Sequence, residues 1–201
     1  MGICVSANLK SSIQCCQAAN RANRILGLLK RSITGRRMKI LVPLYKCLVR
    51  PHLEYVVQAW APHLKQDINT LERVQHRFTR LFPGIRHLPY EERLQKLNIP
   101  SLVFRRLRGD LIEVFKMVKG YSGLDFDKFF SFSRNHHTRG HSLKLTKMPC
   151  TLNSRQCFFS NRVVDVWNDL TEDVVQSSSV NIFKSRVDQL GGRSTGAYHK
   201  S

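Results

Sequence analysis

Apolar side chains recur at helical spacing from residue 10 to residue 33, and basic side chains fall largely on other faces of the same predicted helix. The apolar positions are Ile13, Cys16, Ala22, Ile25, Leu29 and Ile33, and the basic positions are Arg21, Arg24, Lys30 and Arg31. Thr34 and Gly35 end the pattern. The segment is therefore predicted to form an amphipathic basic helix.

The next apolar run, from Met38 to Leu48, contains a proline. Pro43 would remove a backbone hydrogen bond, which costs about 3 kcal/mol in a helix interior or forces a kink. We therefore expect this helix to be interrupted or to begin late. The segment LEYVVQAWA, between Pro51 and Pro62, is compatible with a kinked helix and with an extended chain.

A further helix is predicted from Asp67, a residue suited to the N-cap position. Its apolar stripe consists of Ile68, Leu71, Val74, Phe78 and Leu81. Arg73, Arg77 and Arg80 stand beside that stripe at spacings of three and four residues, which places them along one side of the helix. The pattern predicts a helix with a basic ridge.

Two more helices are predicted before residue 121. The first begins at Pro89, ends near Leu97 and carries two glutamates near its positive end. The second begins after Pro100 and ends at Gly120. Its apolar stripe comprises Phe104, Leu107, Leu111, Val114 and Val118. A second basic ridge is predicted early in this helix, at Arg105, Arg106 and Arg108.

The remainder of the chain has a weaker pattern. Residues 121 to 157 mix Ser, His, Asn and Gly with isolated apolar pairs, which predicts a long connection with a short strand at Leu143 to Leu145. Two amphipathic helices follow, one from Phe158 to Leu170 and one capped by Ser179. The predicted fold is mainly α, with a basic helical bundle over residues 1–120 and a connector with looser C-terminal helices over residues 121–201.

The charge of the chain indicates a polyanionic partner. The 201 residues contain 33 Lys and Arg against 14 Asp and Glu, which gives a net charge of +19. Residues 1–120 hold 22 of the basic and 7 of the acidic side chains, an excess of 15 positive charges. The electrostatic contribution to binding is therefore expected from the first part of the chain.

The composition also limits the cellular context. No apolar run approaches the roughly 18 residues of a membrane span, and the N-terminus lacks the pattern of a secretory signal, so the expected location is intracellular, in the nucleus or the cytoplasm. In such a compartment the six cysteines are expected to be free thiols, with Cys15 and Cys16 on different faces of a helix. No cofactor is expected.

Several strings along the chain carry a family resemblance. They are ANRANRILGLLKR, LVRPHLEY, the Trp60-Ala61-Pro62 step, LERVQHRFTRL, GIRHLPYEERL and RRLRGDLIEVFK, followed more loosely by TRGH, FFSNRVVDVWNDL and SVNIFKSRVDQL. In order and spacing they resemble the thumb and post-palm region of reverse transcriptases from non-LTR (LINE, jockey-like) retrotransposons. The resemblance covers nearly the whole chain. The opening MGICVSANLKSS looks like the end of the palm in that family, which implies truncation.

The resemblance implies a polymerase fragment without its active site. RNA-directed DNA polymerisation, the activity of the family, needs clustered carboxylates that hold two divalent metals. Asp125 and Asp127 are the only close aspartate pair in the sequence, and the pattern places them in a solvated turn. The isolated chain is therefore expected not to be an enzyme, and the missing polymerase domains of the parent protein are expected partners.

A binding role is compatible with what remains. The thumb of such polymerases is a helical bundle that follows the template and primer backbones, which implies nonspecific binding of RNA or an RNA–DNA hybrid through phosphate contacts. The residues expected to make those contacts are Arg73, Arg77, Arg80, Arg105, Arg106, Arg108, Lys30 and Arg31. Phe78 and Phe104 fall on apolar stripes and are expected in the core, where they cannot stack on bases.

Several alternatives remain open at this point. In the first alternative, the arginines are a solvated helix face with no ligand. In the second, the chain is a protein-interaction or structural remnant. In a third, Gly2 is myristoylated and Cys4 palmitoylated, with nearby basic residues meeting acidic lipids, although the same letters fit the family pattern and membrane binding is not favoured.

Two kinds of chemistry are disfavoured by spacing. A cluster of zinc-ligand types lacks the close cysteine pair of a finger; its members are His136, His137, His141, Cys150 and Cys157. A cysteine nucleophile is not indicated at Cys47, which lies in an apolar stretch, or at Cys15 and Cys16, which have no histidine near them in sequence.

Overall fold

The computed structural model describes residues 2–4, 11–133, 140–151 and 153–193. These residues form a mainly α-helical protein, as predicted. The longer helices are α1 (Ser12–Ser32), α5 (Lys65–Thr79), α6 (Tyr90–Leu97), α7 (Leu102–Val118) and α12 (Val180–Arg193). The shorter ones are α2 (Met38–Leu44), α3 (Arg50–Glu54), α4 (Val57–Trp60), α8 (Asn153–Gln156), α9 (Phe159–Arg162), α10 (Val164–Asn168) and α11 (Glu172–Val175).

The chain divides into two compact units, Met1–Arg105 and Arg106–Ser201. The division falls inside α7, whereas the sequence analysis placed the boundary at residue 120. The reason lies in how the two parts of α7 pack. Leu102, at its start, belongs to the hydrophobic core of the first unit. Phe115, near its end, stacks on Phe183 of the second, with the ring centroids 4.3 Å apart.

Helices α1 and α5 form the centre of the first unit and run parallel. Ser12 Oγ donates to an Asp67 carboxylate oxygen at 2.7 Å near the start of both helices. Further along, Arg77 Nη1 donates to Asn23 Oδ1 at 3.0 Å. The face of α1 buried in the core is built mainly of small side chains, namely Cys15, Ala18, Ala19 and Ala22, followed by Leu26 and Leu29.

That buried face differs from the predicted one. Ala22 and Leu29 are buried as expected, but Ile13 is 51% exposed and Cys16 is exposed. The prediction placed the larger apolar side chains in the core. Small side chains are buried there instead, because they let a neighbouring helix approach closely. Cys15 is buried, so the two adjacent cysteines do face different ways as predicted.

The proline-containing segment is helical throughout most of its length. Pro43 lies inside α2, and a π-helical turn, Tyr45–Val49, follows without a break before α3. The expected interruption at Pro43 is therefore wrong, because the chain accommodates the proline and then changes its hydrogen-bond register. Of the two alternatives for LEYVVQAWA, the structure has the kinked helix, because Val56, with φ of +47°, separates α3 from α4.

One hydrogen-bond network joins the buried Gln75 of α5 to two tyrosines and to the segment before α7. Gln75 is fully buried; its Oε1 accepts from Tyr45 Oη at 2.8 Å, and its Nε2 donates to Tyr90 Oη and to the Pro100 carbonyl. Burial raises the pKa of both tyrosines, and the Glu72 carboxylate adds to the effect. Both hydroxyls therefore stay protonated and donate.

Helix ends agree with the sequence to within a few residues. Helix α6 begins one residue after Pro89, and Gly120 follows α7 with φ of +71°. Ser101 Oγ accepts from Phe104 N, and Ser179 Oγ accepts from Ile182 N, so both serines cap a helix. Asp67 is not an N-cap, because α5 begins two residues earlier, at Lys65.

The second unit has a small aromatic core around Trp167, which is fully buried. Phe183 of α12 lies beside it, with ring centroids 6.1 Å apart. Arg162 donates two hydrogen bonds, at 2.9 and 3.0 Å, to the buried Asp110 carboxylate. The predicted helix from 158 to 170 is divided into α9 and α10, and the expected strand at Leu143 to Leu145 amounts to one antiparallel bridge between Leu145 and Phe132.

Across the part of the chain that the structure describes, no helix has both the length and the apolar character needed to cross a bilayer.

Candidate nucleic-acid interface

The arginine ridge predicted on α5 is present on the protein surface. Arg73, Arg77 and Arg80 are all exposed, whereas Val74 and Phe78 beside them are fully buried. Because a helix rises 1.5 Å per residue, the ridge is about 10.5 Å long from Arg73 to Arg80. The burial of Phe78 also agrees with its predicted place in the core.

No carboxylate neutralises this ridge within the described residues. Arg77 is hydrogen-bonded to Asn23, a neutral amide, and the side chains of Arg73 and Arg80 have no hydrogen bond or ion pair there. The nearest acid on the same helix, Glu72, is occupied elsewhere: Oε2 accepts from Tyr90 Oη at 2.6 Å and Oε1 from Val103 N at 3.0 Å. The ridge therefore presents three guanidinium groups that form no ion pair among the described residues, although Glu72 keeps its negative charge beside them.

The ridge borders a depression of about 380 Å³ in the surface of α5. Its lining consists of Asn69, Glu72, Arg73, His76, Arg77 and Arg80. Three of these side chains are cations and one is the occupied Glu72 carboxylate. The depression thus offers an anion a concave surface with a net positive charge.

His76 belongs to that lining and is held in place by two contacts. Its ring stacks on Tyr90, with centroids 3.5 Å apart and planes 16° apart. Its Nδ1 lies 3.4 Å from Arg93 Nη2. Burial lowers the pKa of His76, and the charges of Arg93 and Arg80 lower it further. His76 is therefore neutral near pH 7.

Arg93 lies beneath this surface and is only 2% exposed. Its guanidinium donates to the His76 carbonyl at 3.4 Å and lies 5.6 Å from the centre of the Tyr90 ring. No carboxylate among the described residues forms an ion pair with it. Burial lowers the pKa of Arg93, the charge of Arg80 lowers it further, and the buried Nε has no hydrogen-bond partner among the described residues.

Two basic residues of α1 lie at the same end of the first unit as Arg80. Lys30 and Arg31 are exposed in the last turn of α1. Lys30 is seven residues beyond Asn23 and so falls on the same stripe of the helix, about 10.5 Å further along. Arg36, which follows α1, reaches the Leu81 carbonyl at the end of α5. Lys30 thus lies on the stripe of α1 that contacts α5 at Arg77, beyond the level of Arg80.

The second predicted ridge, on α7, is organised differently. Arg105 Nε and Nη2 donate to the two carboxylate oxygens of Glu54, at 3.0 and 2.8 Å. Arg108 makes the same bidentate contact with Asp188, and Arg106 is 6% exposed. The prediction of an exposed ridge on α7 is wrong. Arg106 is buried, and carboxylates of the same chain form ion pairs with Arg105 and Arg108.

The other candidate residues are not assembled into a site. Gly2 is exposed, and the backbone N–H of Cys4 donates to Gln14 Oε1 at 2.9 Å. Asp125 accepts from Asp127 N in an exposed 3₁₀ turn, Phe126–Lys128, as the predicted solvated turn requires.

The residues weighed as zinc ligands and thiols have other environments. His136 and His137 lie outside the described residues. His141 is buried, with Nε2 2.8 Å from the Trp167 carbonyl, and Cys150 receives a hydrogen bond from Asn161. The described residues contain no group of three potential metal ligands. All six cysteines, each within the described ranges, are free.

Sequence reasoning missed four residues that shape the candidate interface, namely Asn23, Glu72, His76 and Arg93. The α5 pattern contained a signal for His76, which lies three residues after Arg73 and four before Arg80 on one helix face. The involvement of Arg93 had no such signal, because it comes from another helix.

Comparisons with protein-family models, curated proteins and solved structures gave no match to this chain.

Proposed function

We propose that the chain binds RNA or DNA without sequence preference, through phosphate contacts made by the exposed arginines of α5. The observation that carries this proposal is the ridge of Arg73, Arg77 and Arg80, which is exposed and has no carboxylate partner among the described residues. A cation whose charge is not compensated within the protein is available to replace the counterions of a polyphosphate.

The length of the ridge suits a short stretch of one strand. Phosphates of one strand follow one another at about 3.4 Å along a duplex axis, so a ridge of about 10.5 Å spans roughly three nucleotides. Lys30 and Arg31 extend the same basic surface at the end of α1. The net charge of +19 favours the same kind of partner.

The resemblance to non-LTR reverse transcriptases supports the choice of ligand. We propose that the chain corresponds to the thumb and post-palm part of such an enzyme and binds RNA or an RNA–DNA hybrid. The proposal assigns no catalytic step to this chain, because its close aspartate pair caps an exposed turn.

Binding across a salt series tests the proposal. The full chain is titrated into a fluorescently labelled 12-base-pair RNA–DNA hybrid, and into single-stranded RNA of the same length, between 50 and 300 mM salt. Three phosphate contacts predict that the triple variant Arg73→Ala, Arg77→Ala, Arg80→Ala lowers the slope of log K against log salt by about 2 to 3.

A charge-matched variant separates this surface from general charge. Lys96, Lys128 and Arg155 are exposed cations outside the ridge, and their replacement by alanine changes the net charge equally. The proposal expects this variant to keep a near wild-type slope. A shallow slope in the wild-type chain, or equal losses in both triple variants, would overturn the proposal.

A further inference from the structure

Arg93 fixes which nitrogen of His76 carries the proton. A guanidinium group only donates hydrogen bonds, so the contact between Arg93 Nη2 and His76 Nδ1 at 3.4 Å makes Nδ1 the acceptor. In a neutral imidazole the proton then resides on Nε2. The stack on Tyr90 holds the ring plane in the same orientation.

The Nε2–H group of His76 is available for a ligand. It has no partner among the described residues, and His76 lines the depression of about 380 Å³. Arg73 and Arg80 lie one turn before and one turn after it on the same face of α5. A neutral donor between two cations suits a nucleic-acid backbone, in which each phosphodiester has one negative charge shared by two oxygens that accept hydrogen bonds.

We propose that His76 Nε2–H donates to one of the backbone phosphates that the ridge contacts, at a position between Arg73 and Arg80, and that Arg93 is its positioning residue. This site rests on the proposed function of α5 and refines it: the ridge supplies charge, whereas His76 fixes the position of one phosphate. The two contributions differ in their dependence on salt. A cation releases counterions on binding, but a neutral donor does not.

Substitution of His76 separates these contributions. His76→Leu removes the donor, and we expect about a tenfold loss of affinity for the 12-base-pair hybrid at every salt concentration with the slope unchanged. His76→Gln places an amide N–H near the position of Nε2 and is expected to stay within about threefold of wild type. Wild-type affinity in His76→Leu, or equal losses in both variants, would overturn the site.

Failure of this site is distinguishable from failure of the proposed function. If the wild-type chain binds with a steep salt slope that the arginine variant flattens, and His76→Leu binds as wild type does, only the His76 site is wrong. If the wild-type slope is itself shallow, the function of the whole ridge is wrong.

Nitrogen-15 NMR of the histidine rings tests the geometry in the unmodified full chain. The site requires the Nε2–H tautomer for His76 in the free protein, and a shift of that Nε2 signal when the hybrid is added. An Nδ1–H tautomer, or an unchanged signal at saturating hybrid, would contradict the proposal. In Arg93→Met, the preference for the Nε2–H tautomer should weaken, an effect that a purely structural role for Arg93 does not require.

Inorganic phosphate identifies the source of the ligand. A backbone site predicts that the hybrid shifts the His76 signal at micromolar concentration, while inorganic phosphate does so only at millimolar concentration or above. A shift caused by inorganic phosphate and not by the hybrid would overturn the assignment to a nucleic-acid backbone.

Discussion

Two clusters of three arginines, one on α5 and one on α7, have opposite surroundings. On α5, Arg73, Arg77 and Arg80 are exposed, and the acid beside them, Glu72, is bonded to Tyr90 and Val103. On α7, Arg105 and Arg108 each make a bidentate ion pair with a carboxylate. Arginine thus forms a candidate ligand-binding surface on α5 and intrachain ion pairs on α7.

The difference shows that helical spacing predicts where a cation lies but not what it binds. Glu54 and Asp188, which engage the α7 arginines, are 51 and 80 residues away from them in sequence. On α5, the neighbouring acid, Glu72, accepts from Tyr90 and Val103 and forms no ion pair with the arginines among the described residues. Hydrogen bonds to Glu72 are therefore part of what defines the candidate interface.

Reversing the charge of the α5 ridge should have the largest effect. The variant Arg73→Glu, Arg77→Glu, Arg80→Glu turns three attractive contacts into repulsive ones, and we expect the affinity for the RNA–DNA hybrid to fall by roughly a thousandfold or more. Fluorescence anisotropy at 100 mM salt measures the change. Retention of affinity within about tenfold would remove α5 from the interface.

The arginines of α7 should matter for folding rather than for binding. Arg105→Ala leaves a partly buried Glu54 carboxylate with a single, longer contact to Arg50 at 3.6 Å. We expect the free energy of unfolding to fall by about 1–2 kcal/mol, with unchanged affinity for the hybrid. Urea denaturation measures the first quantity.

Arg73→Ala is the matched control for that experiment, because the same residue type is removed from an exposed position. Its unfolding free energy should stay within about 0.5 kcal/mol of wild type while its affinity falls. If both variants lost stability equally and neither lost affinity, the distinction between the two clusters would not hold.

The pH titration of His76 sharpens the description of the α5 surface. Burial, Arg93 and Arg80 lower its pKa, so its NMR titration midpoint should fall below the ordinary value near 6.5. Because the folded protein binds this proton more weakly than the unfolded chain, His76 contributes a loss of stability as the pH falls from about 6.5 through the lowered pKa. A midpoint at or above 6.5 would contradict this environment.

Lys30 should have the smallest effect of the predicted contacts. Lys30→Ala removes one exposed cation from the end of α1, and we expect a decrease of about 0.7 to 0.9 in the salt slope with a loss of affinity of only a few-fold. The same salt series measures it. A change as large as that of the arginine triple variant would move the centre of the interface to α1.

Much of the helical architecture was accessible from the sequence. Periodicity located α5, α7 and α12, and Ser101 and Ser179 marked two helix starts because a serine hydroxyl accepts from a free backbone N–H. The buried face of α1 was placed only in part, because alanines that allow close packing carry little hydrophobic signal. The continuation of the helix through Pro43 was not predicted either.

The candidate interface was only half predictable. Its arginines follow from spacing along one helix, a local property. The state of the Glu72 carboxylate and the orientation of the His76 ring depend on Tyr90 and Arg93, which belong to a different helix. Contacts between helices of this kind set the charge and the hydrogen-bonding groups of a surface, and spacing along one chain segment does not contain them.

Arginine footprinting tests the contrast between the two clusters most directly. The full chain is treated with phenylglyoxal, free and saturated with the RNA–DNA hybrid, and modification is measured at each arginine by mass spectrometry. Arg73, Arg77 and Arg80 should react in the free protein and be protected by the hybrid, whereas Arg105, Arg106 and Arg108 should react slowly in both states. Protection confined to the α7 cluster, or unchanged reactivity along α5, would contradict the account.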